Sequence, residues 1–199
     1  MGVRGGIPLP YDAEIEYLGN DGYAFINTGY APQGLDIRIA CKFYYGGYYR
    51  SVSSYPSLVW AYVNDATRCY RLMMRGSTNT LVVQNARRGN STMQNNYDLV
   101  VGSTYEVDFD HYNYSINGVE YTHTQYDTST ENTSLLRFMD VDNTLTLKFY
   151  YFKLWKANNL ILDFIPVRIG QVGYMYDKVS GQLFGNSGTG SFILGPDKQ

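Results

Sequence analysis

Apolar and polar residues alternate with period two along most of the chain, and no stretch repeats at the 3.6-residue period of a surface helix. Between Asp36 and Tyr44, residues Ile37, Ile39, Cys41 and Phe43 share one face while Arg38, Ala40 and Lys42 share the other. Tyr105, Val107 and Phe109 alternate in the same way with Glu106, Asp108 and Asp110. From Thr144 to Lys156 the period groups Leu145, Leu147, Phe149, Tyr151 and Trp155 opposite Thr146, Lys148, Tyr150 and Phe152. Large apolar groups on both faces near its end predict a strand through the middle of the fold.

Tyr112 to His123 holds the strongest local signal, because Asn117-Gly118 supplies the positive backbone dihedrals of a type I′ turn between two alternating runs. The register that follows sets Ile116 opposite Val119, Tyr114 opposite Tyr121 and Tyr112 opposite His123, which makes His123 a cross-strand neighbour rather than a base. Further strands are predicted at residues 14–18, 24–27, 58–63, 68–74, 80–84, 135–139, 160–165, 173–177 and 191–194. Near the end, Asp177-Lys-Val-Ser-Gly181 starts a turn with Asp and closes it with Gly, so that 174–176 and 182–184 form a hairpin; the glycines of Gly185 to Gly190 read as turn formers, because a phosphate cradle needs a following helix. Many short strands with Gly, Asn, Asp and Ser turns imply an all-β, two-sheet antiparallel sandwich or jelly roll. Residues 13–199 make one such domain; residues 1–12, with three Gly and two Pro, read as an extended arm, either frayed or laid along a neighbour.

The chain has 199 residues, enough for one unstapled core. With 16 Lys+Arg against 18 Asp+Glu and no basic run beyond Arg87-Arg88, it lacks the electrostatic footprint of a nucleic-acid binder. No stretch reaches the roughly 20 apolar residues of a spanning helix. Met1 to Pro10 has no apolar run or small-residue cleavage site, so it does not read as a signal peptide. Cys41 and Cys69 have no C-x-x-C spacing and read as buried free thiols. Two His without an acidic or Cys partner at ligand spacing exclude a zinc motif, and 13 Asp against 5 Glu match no calcium loop, so no metal or cofactor is expected.

The segment Glu16-Tyr-Leu-Gly-Asn-Asp-Gly-Tyr-Ala-Phe-Ile-Asn-Thr-Gly29 resembles the start of laminin-G-like, concanavalin A-like jelly-roll domains of gut bacteria and their phages. Tyr151-Phe-Lys-Leu-Trp155, Asp163-Phe-Ile-Pro-Val-Arg168, Gly173 to Gly181 and Gly188-Thr-Gly-Ser-Phe192 follow the ending of that family in order and spacing. The resemblance implies the fold and leaves function open, since lectins, glycosidases, adhesins and virion proteins share it.

One constellation resembles an enzyme. Glu106, Asp108 and Asp110 project from one face of a strand, as in a family of β-sandwich glucanases that uses Glu-x-Asp-x-Glu, but Asp110 is a methylene shorter than the acid/base Glu. The expectation is a solvated polar face and no catalysis. Tyr44-Tyr-Gly-Gly-Tyr-Tyr-Arg-Ser-Val-Ser-Ser-Tyr55 reads instead as a loop-like recognition segment, with Tyr44, Tyr45, Tyr48, Tyr49, Arg50 and Tyr55 offering stiff amphipathic contact area, or as strand residues covering the sandwich edge. The leading functional expectation is a non-catalytic structural or adhesion protein on a bacteriophage particle. Assembled in the host cytoplasm, it would be an oligomer docked to virion neighbours through residues 1–12, or bound to host-surface glycan. The alternatives are a carbohydrate-binding module of a bacterial cell-surface protein and, third, a glucanase-like hydrolase.

Overall fold

The computed structural model describes residues 3–4, 7–20, 23–34, 36–48, 56–62, 69–75, 79–85, 95–123, 133–139 and 145–199. Among them every paired strand is antiparallel and no helix occurs. The larger sheet runs Val119–Thr122, Asn113–Ile116, Ser103–Phe109, Ile37–Tyr48, Leu145–Lys156, Asn159–Ile169, Val172–Asp177 and Leu183–Phe184. Leu145–Lys156 divides its second edge. Its end pairs with Asn159–Ile169, and its first half takes Leu18–Asn20, which Phe192–Leu194 extends. The smaller sheet runs Asn95–Asp98, Thr80–Asn85, Cys69–Arg75, Ser57–Tyr62, Arg137–Phe138 and Ile26–Asn27.

The alternation explains why these segments face one another. Ile37, Ile39, Cys41 and Phe43 are buried, as are Tyr105, Val107 and Phe109, so each strand gives its apolar side to the space between the sheets. Phe138 of the smaller sheet stacks on Phe152 of the larger with centroids 4.5 Å apart and planes 1° from parallel, and Phe149 and Phe164 pack around it. Cys41 is a free, fully buried thiol, and burial raises its pKa. The side chain of Cys69 lies outside the described residues.

The expected hairpin is present. Asn117 and Gly118 have φ of 51° and 78°, Ile116 pairs with Val119, and Tyr114 pairs with Tyr121. The Tyr114 and Tyr121 rings stack at 4.9 Å, and His123 N–H donates to the Tyr112 carbonyl. At the chain's end Met175 pairs with Phe184 and Tyr176 with Leu183 around the Asp177 turn.

The Leu145–Lys156 strand departs from its expected faces. Leu145, Leu147 and Phe149 are buried, but the register against Ile37–Tyr48 then slips, because Phe149 pairs with Phe43 while Tyr151 pairs with Lys42. Tyr150 is the extra residue of this β-bulge. Beyond it the parity inverts: Phe152 and Leu154 are fully buried and Tyr151, Lys153 and Trp155 stand on the outer face. The expected placement of Tyr151 and Trp155 inside and Phe152 outside is therefore corrected by one inserted residue.

Near the N-terminus Val3–Arg4 pairs with Ile7–Pro8. Tyr11 is buried, its ring 5.0 Å from that of Tyr176, and Asp12 N–H donates to the Arg168 carbonyl.

Candidate functional site

The outer face of the larger sheet is built by the strands Ile37–Tyr48 and Leu145–Lys156 together with the chain entering Leu18–Asn20. Pairing of Lys148 with both Tyr44 and Gly19 sets these three segments side by side. Their outward side chains form a ladder of aromatic rings and cations. Lys148 Nζ lies 4.4 Å from the Tyr17 ring centroid and 4.9 Å from that of Tyr44, held between two electron-rich faces. Lys42 Nζ lies over Tyr150 at 5.8 Å, Lys153 over Tyr151 at 5.7 Å, and the Arg38 guanidinium over Trp155 at 4.8 Å. Tyr17 and Tyr150 meet edge to face at 6.0 Å. All five rings are half-buried, so each is fixed by packing and still presents surface.

Gly46 permits the close packing at one end of this ladder. A Cβ on it would come within 2.6 Å of Thr146 Cγ2 and 3.1 Å of the Tyr44 ring, so a side chain there would force Thr146 aside and crowd Tyr44. In the middle is an open depression of about 290 Å³ lined by Glu16, Lys42, Tyr150, Tyr151 and Lys198.

Two of the three suspected catalytic carboxylates stand beside this face, and all three are engaged. Glu106 accepts the Tyr151 hydroxyl at 2.6 Å, and burial with this hydrogen bond pushes the Tyr151 phenol up, which keeps it protonated. Asp108 is held by Arg38 through Nε at 2.8 Å and through its second oxygen. Asp110 lies past the end of Ser103–Phe109 and caps the turn, accepting the N–H groups of Tyr112 and Asn113, both at 2.7 Å.

The expected recognition segment is only partly in this place. Its first residues continue the strand as far as Tyr48 instead of forming a loop. Tyr44 belongs to the ladder. Tyr45 does not: it is fully buried and its hydroxyl donates to Asn79 Oδ1, so it is a core residue, because it continues the inward parity of Phe43. Tyr48 contributes backbone pairing to Leu145; its side chain, and Tyr49, Arg50 and Tyr55, lie outside the described residues. Sequence reasoning missed Tyr17, Tyr150, Tyr151 and Trp155. The consecutive rings in Phe149-Tyr-Tyr-Phe152 were the available signal, since adjacent large side chains cannot all point one way along an unbroken strand. Among the described residues no group of three or more His, Cys, Asp or Glu could hold a metal, and no helix is long and apolar enough to cross a membrane.

No protein-family model matches the chain, and no curated protein sequence does. Among solved structures it is similar to the 1.50 Å crystal structure of a candidate carbohydrate-binding protein from Bacteroides ovatus ATCC 8483, with a TM-score of 0.55, 10% identity and 94% of this chain covered. The chain spans 61% of that protein's length, and at this identity the likeness is one of fold.

Proposed function

We propose that this β-sandwich, of the laminin-G-like and concanavalin A-like type, is a non-catalytic carbohydrate-binding module that recognises its ligand on the outer face of the larger sheet. One observation carries the reading: Tyr17, Tyr44, Tyr150, Tyr151 and Trp155 converge there from distant parts of the chain, all half-buried, with Tyr150 and Tyr151 lining an open depression. Such rings offer stiff apolar area for the C–H faces of sugars, and neighbouring hydroxyls, ammonium groups and carboxylates can satisfy sugar hydroxyls. From Lys148 to Trp155 the ladder spans six steps of the paired strand, Tyr44 to Arg38, about 20 Å at 3.3 Å per strand residue, which suits an elongated chain better than a monosaccharide.

The likeness to a candidate carbohydrate-binding protein supports the same reading and favours saccharide over the virion-neighbour partner expected from sequence. The non-catalytic assignment is supported by the engagement of Glu106, Asp108 and Asp110 with Tyr151, Arg38 and the turn amides. The test is a polysaccharide panel read by affinity electrophoresis and calorimetry. Retardation by at least one polymer, lost in Tyr150→Ala and in Tyr44→Ala while the circular dichroism spectrum is kept, is the expected result. Retention of full binding by both variants would move the site elsewhere.

A further inference from the structure

Three lysines on this face differ from the cations that stand against carboxylates. Arg38 is paired with Asp108, Lys156 with Asp36, Arg168 with Asp197 at 2.6 Å, and Lys153 and Lys178 stand 3.7 Å and 3.4 Å from Asp163. Lys42, Lys148 and Lys198 have no carboxylate partner among the described residues, and all three gather around the same depression or beside it. Of the acidic groups nearby, Glu16 lines the depression, and Glu106 is the cross-strand neighbour of Lys42 but gives its carboxylate to the Tyr151 hydroxyl. Three ammonium groups against the carboxylates of Glu16 and Glu106, the latter still charged while it accepts a neutral phenol, leave the face with a small positive excess in a chain of net charge -2.

The positions of Lys148 and Lys42 sharpen this. Each is held over tyrosine rings rather than swinging free, so its charge is partly ordered before any ligand arrives. An ammonium fixed beside an aromatic platform is the arrangement that would read a negative substituent on a stacked sugar, through a charge-assisted hydrogen bond made while the ring is packed. A neutral glycan would leave these charges partly desolvated without compensation.

We infer that the ligand of this face is an anionic glycan, one bearing carboxylate or sulfate groups along its chain, with Lys42 and Lys148 as the residues that read the charge. The inference rests on the carbohydrate-binding reading given above and adds to it the ligand's charge class. The experiment uses the full chain and four probes: polygalacturonate, its carboxyl-reduced neutral counterpart, dextran sulfate and dextran. Calorimetry at 50 and 200 mM salt is run on the parent, on Lys42→Gln/Lys148→Gln, on Lys198→Gln and on Tyr150→Ala.

The expected result is binding of polygalacturonate or of dextran sulfate at least about tenfold tighter than of its neutral counterpart, a preference the double variant removes without a change in unfolding midpoint. Which anionic polymer binds distinguishes carboxylate from sulfate as the group read. Equal affinity for charged and neutral polymers, or full acidic-polymer affinity in the double variant, overturns the charge assignment and leaves the carbohydrate reading standing. Acidic-polymer binding that survives Tyr150→Ala identifies diffuse polyelectrolyte attraction and overturns the inference. A loss confined to Lys198→Gln also overturns the roles given to Lys42 and Lys148. Failure to bind any polymer in the wider panel would remove both proposals together.

Discussion

Replacing Asp177 tests the turn that closes the Val172–Asp177 and Leu183–Phe184 hairpin. Its side chain is fully buried and accepts four hydrogen bonds: Oδ1 takes Asp163 N–H at 2.8 Å and Val179 N–H at 3.2 Å, while Oδ2 takes Ser180 N–H at 3.1 Å and the Ser180 hydroxyl at 2.6 Å. Asp177→Ala leaves these donors without their acceptor. The Asp163 amide lies in a buried strand and cannot turn to water, a penalty of about 1–3 kcal/mol. The turn donors of Val179 and Ser180 are part-buried and recover some hydration, so each adds about 0.5–1 kcal/mol. The expected loss is therefore about 2–5 kcal/mol, or about 5–20 °C in unfolding midpoint for a chain of this length. Asp177→Asn keeps one acceptor oxygen, able to serve Asp163 N–H, and should cost about half as much. Urea unfolding followed by circular dichroism measures both. A loss below about 1 kcal/mol for Asp177→Ala, or equal losses for the two variants, would refute the assignment of stability to acceptor geometry.

Two further perturbations probe the core and the hairpin. Phe138→Ala removes the ring stacked on Phe152 and packed by Phe149 and Phe164 at the centre of the sandwich, and should cost about 3–5 kcal/mol in urea unfolding; a loss under about 2 kcal/mol would mean that the sheets close over the gap. Burial lowers the pKa of His123 in the fold from its ordinary 6.5, so the neutral imidazole contributes stability that is present above that value and lost as pH falls below it. The unfolding midpoint of the parent should therefore drop more steeply between pH 7 and pH 5 than that of His123→Gln, and parallel profiles would contradict the burial argument.

The parts of the fold visible in the sequence are those decided by local rules. Ile37 to Phe43 and Tyr105 to Phe109 are read from period two alone, because each strand has one apolar face and the sandwich has one interior to receive it. Asn117-Gly118 sets the hairpin register because a two-residue turn leaves no freedom to slip. The face inversion after Tyr150 was hidden, since rings at positions 149 to 152 satisfy either parity and only the neighbouring strand decides between them. Tyr45 was legible in principle: it continues the alternation of Phe43, but Gly46-Gly47 looked like the start of a loop, whereas Gly47, at φ 113°, lies within a second register irregularity of a continuing strand. The face proposed for binding was the least legible. Tyr17, Tyr44 and Tyr150 meet through the order of strands in the sheet, a long-range outcome that no local spacing encodes.

The bulge at Tyr150 makes the chemistry of this face a matter of counting. The strand Leu145–Lys156 is read in two frames, odd residues inward before the bulge and even residues inward after it, and the junction between frames is a single residue. Closing the bulge without changing the residue count would exchange Tyr151 and Trp155 with Phe152 and Leu154, converting the proposed recognition surface into core and core into surface without altering one amino-acid type, whereas deleting Tyr150 would leave plain alternation and both faces as they are. A graft of this face onto another sandwich must accordingly carry the strand with its irregularity intact. Conversely, moving the junction along the strand would select which rings are displayed, a change of specificity made by position rather than by substitution.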